Sequence, residues 1–371
     1  MISIAKPYIG SEEIKAVIDV MRSGMIASGK KVTAFENEFA DMCGTKYAIA
    51  TNNGTSALHS ALLAGGIKPG DEVIIPDFTF FATASSISMC GATPVFCDIK
   101  RDNYNIDIQK IESLITPKTK AIIGVHLFGH IIDHIDRIHN ICSDHNLLFI
   151  EDAAQAHGAC ISHDFYDKHL AGKYAGNIGD MGCFSLYATK NIMCGEGGMI
   201  TTNSQSYADK IRRIINHGQS DKYLHTELGY NYRMTDLSAA IGLSQLKRLN
   251  DITYARQSNA IYYTKHLIGV NGLNLPSPSY TDHVFHQFVI RVDEDFPMTR
   301  DELVSHLISN NIGTAIHYPI PLHKQPYYFK DTCIDPCPIA SEVASSVLSL
   351  PVHPLLKHKD LAFICDVIKK I

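Results

Sequence analysis

Short apolar runs rich in β-branched and aromatic residues recur through the first half of the chain: KYAIAT at 46–51, DEVIIP at 71–76, TPVFCDI at 93–99, KAIIGVHLFG at 120–129, NLLFIED at 146–152, MGCFSL at 181–186 and GMITTN at 198–203. Between most of them lie stretches with apolar residues at helical spacing, such as SALHSALLAGG and HIDRIHNICSDH. Strands of this kind suit burial on both faces, and their alternation with helices predicts an α/β fold with a mainly parallel sheet between helical layers. No G-x-G-x-x-G follows any of these runs, which argues against a dinucleotide-binding oxidoreductase.

After residue 203 the pattern changes. MTDLSAAIGLSQLKRLNDITYARQSNAIYYTKHL is a long amphipathic stretch, and FHQFVIRV reads as a short strand among further helices. The predicted division is a large domain over 1–250 and a smaller C-terminal α+β domain over 251–371. At 371 residues, 45% of them hydrophobic, the chain is long enough for two cores. A formal net charge of −5 and the lack of any lysine and arginine run give no reason to expect nucleic acid as a partner. No window approaches a membrane-spanning length, and the start lacks a basic segment followed by an apolar one, so the expected location is cytoplasmic, without a membrane. The ten cysteines lack paired spacing and read as reduced, mostly buried thiols.

In an open α/β sheet, ligands gather at the carboxyl ends of the strands. NNGTSALHSAL follows the first run and places Gly54 and Thr55 where a turn becomes a helix, which is either a plain capped turn or an anion site. DFTFFATASSI follows the second, and Phe78, Phe80 and Phe81 either pack in the core or stack on a flat ring. Asp152 ends the fifth run with Gln155 three residues on, as a helix cap or as the partner of a cationic heteroatom. Ser185 leaves the sixth run, and Lys190 follows in a glycine-flanked segment, SLYATKNIMCGEGG. A lysine held away from water loses basicity and becomes a nucleophile able to form a Schiff base. LGYNYRMTD adds Asn231 and Arg233 just ahead of a helix. Pyridoxal phosphate requires a lysine for its aldehyde, an acid for its ring nitrogen, phosphate donors and an aromatic face, and all are present.

These segments carry a resemblance. From GMIASGKKVTAFENEFA through NNGTSALHSALLAGGIKPGDEVIIP, EDAAQAHGA, SLYATKN and GEGGMITTN, GYNYRMTDLSAAIGLSQL and HYPIPLHKQP to SLPVHP, the chain resembles the DegT/StrS-type nucleotide-sugar aminotransferases, pyridoxal-phosphate enzymes of the aspartate-aminotransferase (type I) fold. The resemblance implies that Lys190 binds the cofactor covalently and shuttles protons. Asp152 would pair with the ring nitrogen, and Gln155 with the ring hydroxyl oxygen. Gly54, Thr55 and Ser185 would hold the phosphate, and Phe80 would stack on the ring. Asn231 would reach the phosphate of a neighbouring subunit, making a homodimer with shared sites the smallest active form.

The substrates implied are L-glutamate and a nucleoside-diphosphate-linked keto-sugar, and the product an amino sugar for polysaccharide such as the O-antigen of lipopolysaccharide. His317 and Tyr318 in HYPIPLH are expected to touch the sugar, and such segments favour amination at C3 over C4. Two alternatives share the scaffold. A sugar dehydratase of this kind replaces the lysine by histidine, which Lys190 argues against. A non-catalytic regulatory protein would not need the whole set of Lys190, Asp152, Gln155 and Ser185.

Two departures stand out: Asn53 where many relatives carry serine, and a segment from Cys160 to Gly179 longer than the short hairpin expected there. His130, Asp133, His134 and His139 imitate metal-ligand spacing, but a solvated helix face accounts for them equally, and no metal is expected because the cofactor chemistry needs none.

Overall fold

A computed structural model describes residues 1–161, 169–276, 283–330 and 334–371. Each of the seven apolar runs forms a strand of one sheet: β1 (Tyr47–Thr51), β2 (Glu72–Pro76), β3 (Thr93–Cys97), β4 (Thr119–Val125), β5 (Leu148–Asp152), β6 (Met181–Ser185) and β7 (Gly198–Thr202). Their order is β1-β7-β6-β5-β4-β2-β3. Neighbours pair in parallel from β6 to β3, whereas β7 runs antiparallel to both β6 and β1.

Alternate side chains serve opposite faces, as strand geometry requires. Ile74 and Ile122 pack with Phe35, Phe39 and Phe149 on one side, while Val73, Ile75, Ala121 and Ile123 pack with Leu62 and Ile87 on the other. The helix Gly54–Ala64 is built almost wholly of buried small and apolar residues, which lets it lie directly on the sheet. The connection before β6 runs close against that strand at Gly182, where a Cβ would stand 2.3 Å from Gly176 Cα, so no side chain is tolerated there.

The long amphipathic stretch forms two helices, Asp236–Leu246, capped by the Thr235 hydroxyl, and Leu249–Leu267. A two-stranded ribbon, β8 (Gln219–Asp221) with β9 (Leu224–His225), precedes them. Beyond them β10 (Leu273–Asn274), β11 (Phe288–Val292) and β12 (Val347–Leu350) make an antiparallel three-stranded sheet with a separate core around Tyr263, Phe288 and Ile364. FHQFVIRV is therefore only partly strand: Phe285, His286 and Gln287 precede β11 and are free to do something else.

Of the 160–179 segment, residues 162–168 lie outside the described residues. Its flanks run antiparallel, with a Cys160–Tyr174 bridge and Ala175 N–H donating to Ala159 O. The nine described cysteines are free thiols, all buried except the half-buried Cys160, and Cys333 is outside the described residues. Among the described residues no helix is long and apolar enough to cross a membrane.

The histidine run does not form one solvated face. His130 is buried before the helix Ile135–His145 and stacks on His283, His134 precedes that helix, and His139 packs edge-on to His169.

Candidate active site

Apart from Asn231, every residue proposed for cofactor or substrate contact lines one cavity of about 370 Å³ at the carboxyl ends of the parallel strands: Gly54, Thr55, Phe80, Asp152, Gln155, Ser185, Lys190, His317 and Tyr318. Lys190 lies on the connection between β6 and β7, whose base is closed by Leu186 N–H to Gly197 O at 2.8 Å and Cys194 N–H to Leu186 O at 2.9 Å. The glycines of CGEGG thus serve the reversal of chain direction that an antiparallel β7 demands. Lys190 keeps part of its surface open to the cavity, yet the protein packed around its amine pushes its pKa down to about 8. Asp152, nearby, acts in the opposite sense, and burial wins.

Burial also raises the pKa of Asp152, against the pull of its hydrogen bonds. Its Oδ2 accepts from the Thr83 hydroxyl at 2.8 Å and its Oδ1 from Ala154 N–H at 3.2 Å. A buried carboxylate raised in this way favours a cationic partner, which a protonated pyridine nitrogen provides. Gln155 is fixed at both ends: Oε1 accepts from Phe128 N–H at 2.6 Å, and Nε2 donates to the Tyr318 hydroxyl at 3.1 Å. An amide nitrogen carries two hydrogens, so one remains for a ligand.

At the start of the helix Gly54–Ala64 the Asn53 side chain accepts from Ser56 N–H at 2.8 Å, and the Asn53 carbonyl accepts from Ala57 N–H. The N–H groups of Gly54 and Thr55 are left at the positive end of the helix dipole. The cap of this helix is therefore Asn53, and capping leaves the Gly54 and Thr55 donors open rather than deciding against an anion site. A Cβ on Gly54 would stand 2.8 Å from Ser185 Cβ, so glycine is needed for these two strand ends to share one cradle. The aromatics divide: Phe78 is wholly buried, whereas Phe80 is 58% exposed on the cavity rim with its ring 6.0 Å from that of Tyr318. These donors, the acid and the amine fit pyridoxal phosphate, which supplies an electron sink for bonds at the substrate carbon when bound.

Several residues of the site carry no local signal in the sequence. Glu151, wholly buried next to Asp152, accepts from Gly176, Ile178 and Gly179 N–H and pairs with His126 Nε2 at 2.9 Å, fixing the floor beneath β5. Thr83 is visible only as the last residue of TFFAT. Asp77, at the end of β2, accepts from His323 N–H at 2.8 Å, meets His323 Nδ1 at 2.5 Å, and accepts Leu322 N–H on its carbonyl. This pair pins the loop bearing His317 and Tyr318 to the sheet. Among the described residues, Asp77, His323 and Cys337 are the one gathering of metal-ligating side chains. Asp77→Ala is expected to cost about 3 kcal/mol of stability by stranding the buried imidazole and the His323 N–H, read as a lower denaturant midpoint. An unchanged midpoint would show that the loop is held without it.

A mainly parallel sheet with a lysine of lowered basicity, a buried acid and open helix-start N–H groups at its strand ends has the features of a pyridoxal-phosphate enzyme of the aspartate-aminotransferase fold. The model of the DegT/DnrJ/EryC1/StrS aminotransferase family matches residues 7–369. Over 365 residues the chain is 41% identical to GDP-perosamine synthase of Caulobacter vibrioides, covering 97% of this chain and 95% of that protein. It is 40% identical to UDP-N-acetyl-3-dehydro-alpha-D-glucosamine 3-aminotransferase of Acidithiobacillus ferrooxidans, over 92% of this chain and 89% of the relative. The structure of Spr1654 from Streptococcus pneumoniae in its PLP-form superposes with a TM-score of 0.91 at 28% identity, covering 100% of this chain and 98% of that one. The chain belongs to this family of pyridoxal-phosphate-dependent nucleotide-sugar aminotransferases.

Proposed function

We propose that the enzyme moves the amino group of L-glutamate to the C3 keto group of a nucleoside-diphosphate-linked sugar, giving an amino sugar for surface polysaccharide of the O-antigen type. The observation that carries this reading is the convergence of Lys190, Asp152 and Gln155 with His317 and Tyr318 in one cavity, so that the groups for the chemistry and those for a sugar lie side by side. In this reading Lys190 holds the cofactor and moves the proton at the substrate carbon, Asp152 keeps the proton on the ring nitrogen, Gln155 bonds the ring hydroxyl oxygen, and Gly54, Thr55 and Ser185 take the phosphate. Phe80 covers the ring face. The relative from Acidithiobacillus is named as a 3-aminotransferase of a 3-dehydro sugar, which supports C3 over C4. The names of the two relatives contain GDP and UDP, so a screen spans both bases.

The test loads the protein with pyridoxamine phosphate, adds matched 3-keto and 4-keto nucleotide sugars, and follows the return of the cofactor's visible absorbance. NMR of the product then locates the nitrogen. Transfer to the 3-keto sugar is expected. Amination only at C4 overturns the regiochemistry, and transfer to no nucleotide sugar overturns the substrate class.

The active form in this proposal is a homodimer with shared sites, each chain divided into a cofactor domain over 1–250 and a small domain over 251–371. The large sheet lies wholly within the first range, and the sheet of β10, β11 and β12 within the second. Asn231 is exposed and outside the Lys190 cavity of its own chain, which leaves it for a second copy. Asn231→Ala is expected to weaken cofactor retention. Mixed with Lys190→Ala it gives hybrid dimers in which one site has both lesions and the other neither, restoring roughly a quarter of normal activity after random exchange. Subunit exchange without recovery counts against a shared site.

A further inference from the structure

The segment Val284–Gln287 reaches the Lys190 cavity from the small-sheet side of the chain and is held from several directions. Val284 N–H donates to Gly129 O at 2.9 Å, and its carbonyl accepts from Asn191 Nδ2 at 3.1 Å. Gln287 N–H donates to Phe128 O at 3.3 Å. The buried Arg256 donates from Nη1 to the carbonyls of Phe285 at 3.2 Å and His286 at 3.1 Å. Phe285 has a φ of 45°, a conformation that an aromatic residue keeps only when its surroundings impose it. This bracing presents His286 and Gln287 to the cavity, and of the two His286 is the one with a buried ring nitrogen left unbonded among the described residues.

His286 is 4% exposed, and its Nδ1 is buried without a hydrogen-bond partner among the described residues. Buried polar nitrogens are normally partnered in the working state of a protein, so this ring has bonding capacity that the chain itself does not use. Burial, together with the positive charges of Lys190 and Arg256, holds its pKa well below the ordinary histidine value, so the ring is neutral. A neutral imidazole offers one donor and one acceptor. A carboxylate of the amino donor satisfies only the N–H, whereas a hydroxyl satisfies either nitrogen in either tautomer.

We propose that His286 is a specificity-determining residue of the acceptor half-reaction, hydrogen-bonding a hydroxyl of the sugar beside Lys190 and so setting the pose in which the keto carbon is presented. The proposal rests on the nucleotide-sugar reading above and concerns a residue outside the cofactor cradle. Loss of a hydrogen bond to a buried neutral group corresponds to a fall of about 10- to 100-fold.

The experiment compares wild type with His286→Phe, His286→Ala and His286→Gln in the two half-reactions separately, using L-glutamate for one and the UDP- or GDP-linked keto-sugar that wild type accepts for the other. Both apolar variants are expected to lose about 10- to 100-fold in kcat/KM with the keto-sugar and less than about 3-fold with glutamate, and His286→Gln to recover most of the loss. Calorimetric binding of the same keto-sugar in a Lys190→Ala background, where no turnover occurs, is expected to weaken by a similar factor on adding His286→Phe or His286→Ala. An equal fall in both half-reactions, unchanged sugar binding, or a glutamine variant as poor as alanine overturns the proposal. Should His286→Phe fail to fold, the alanine and glutamine variants decide it alone. A wild-type protein that aminates no nucleotide sugar would instead sink the functional reading before the variants are compared.

Discussion

Lys190→Ala is expected to abolish turnover, by at least about 10⁴-fold, and to remove the borohydride-trapped covalent adduct with the cofactor. The wild-type protein should be yellow with a visible absorbance band, and the variant should lose the trapped adduct. The magnitude follows from the loss of the two roles proposed for Lys190, covalent attachment and proton transfer at the substrate carbon. Attachment has no substitute in the cavity: Asp152 is engaged with Thr83 and Ala154, and His286 and His317 carry no primary amine to form a Schiff base. Mass spectrometry of the reduced protein checks the assignment: an adduct still formed by Lys190→Ala would mean that a different amine carries the cofactor.

Asp152→Asn is expected to keep the fold and bind cofactor, but to lose on the order of 10³-fold in kcat. The amide oxygen can still accept from the Thr83 hydroxyl or from Ala154 N–H, so the local structure has no reason to collapse. What is lost, in the proposed reading, is the negative charge that would keep a proton on the ring nitrogen, and with it the stabilisation of charge that develops during reaction. Cofactor content and single-turnover rates separate these effects. A variant with near-normal rates would reduce Asp152 to a turn-forming residue whose carboxylate merely caps Ala154.

Much of this site was legible because chemistry and local structure are written close together in the chain. Asp152, Ser185, Gly54 and Thr55 all directly end or follow an apolar run, and the topology of a parallel sheet forces such positions to one edge. His286 was hidden for the converse reason: in FHQFVIRV it sits among residues of strand-like composition, and only the packing of Arg256, Asn191 and Gly129 around it stops the strand short. Glu151 was hidden because alternation along β5 sends it to the face opposite Asp152, where its partners come from Gly176, Ile178 and Gly179.

The amino-acid sequence by itself determined the seven strands, their burial on both faces, the helices between them and the residue types of a pyridoxal-phosphate site, since apolar spacing reports the burial of a segment whatever its neighbours are. The direction of β7, the grip of Asp77 on His323 across 246 positions and the bridge from Gln155 to Tyr318 across 163 were decided only by the tertiary structure. Strand direction depends on how a connection closes, and a hydrogen bond between distant residues forms only when the whole chain has brought them within about 3 Å, information that no local window contains.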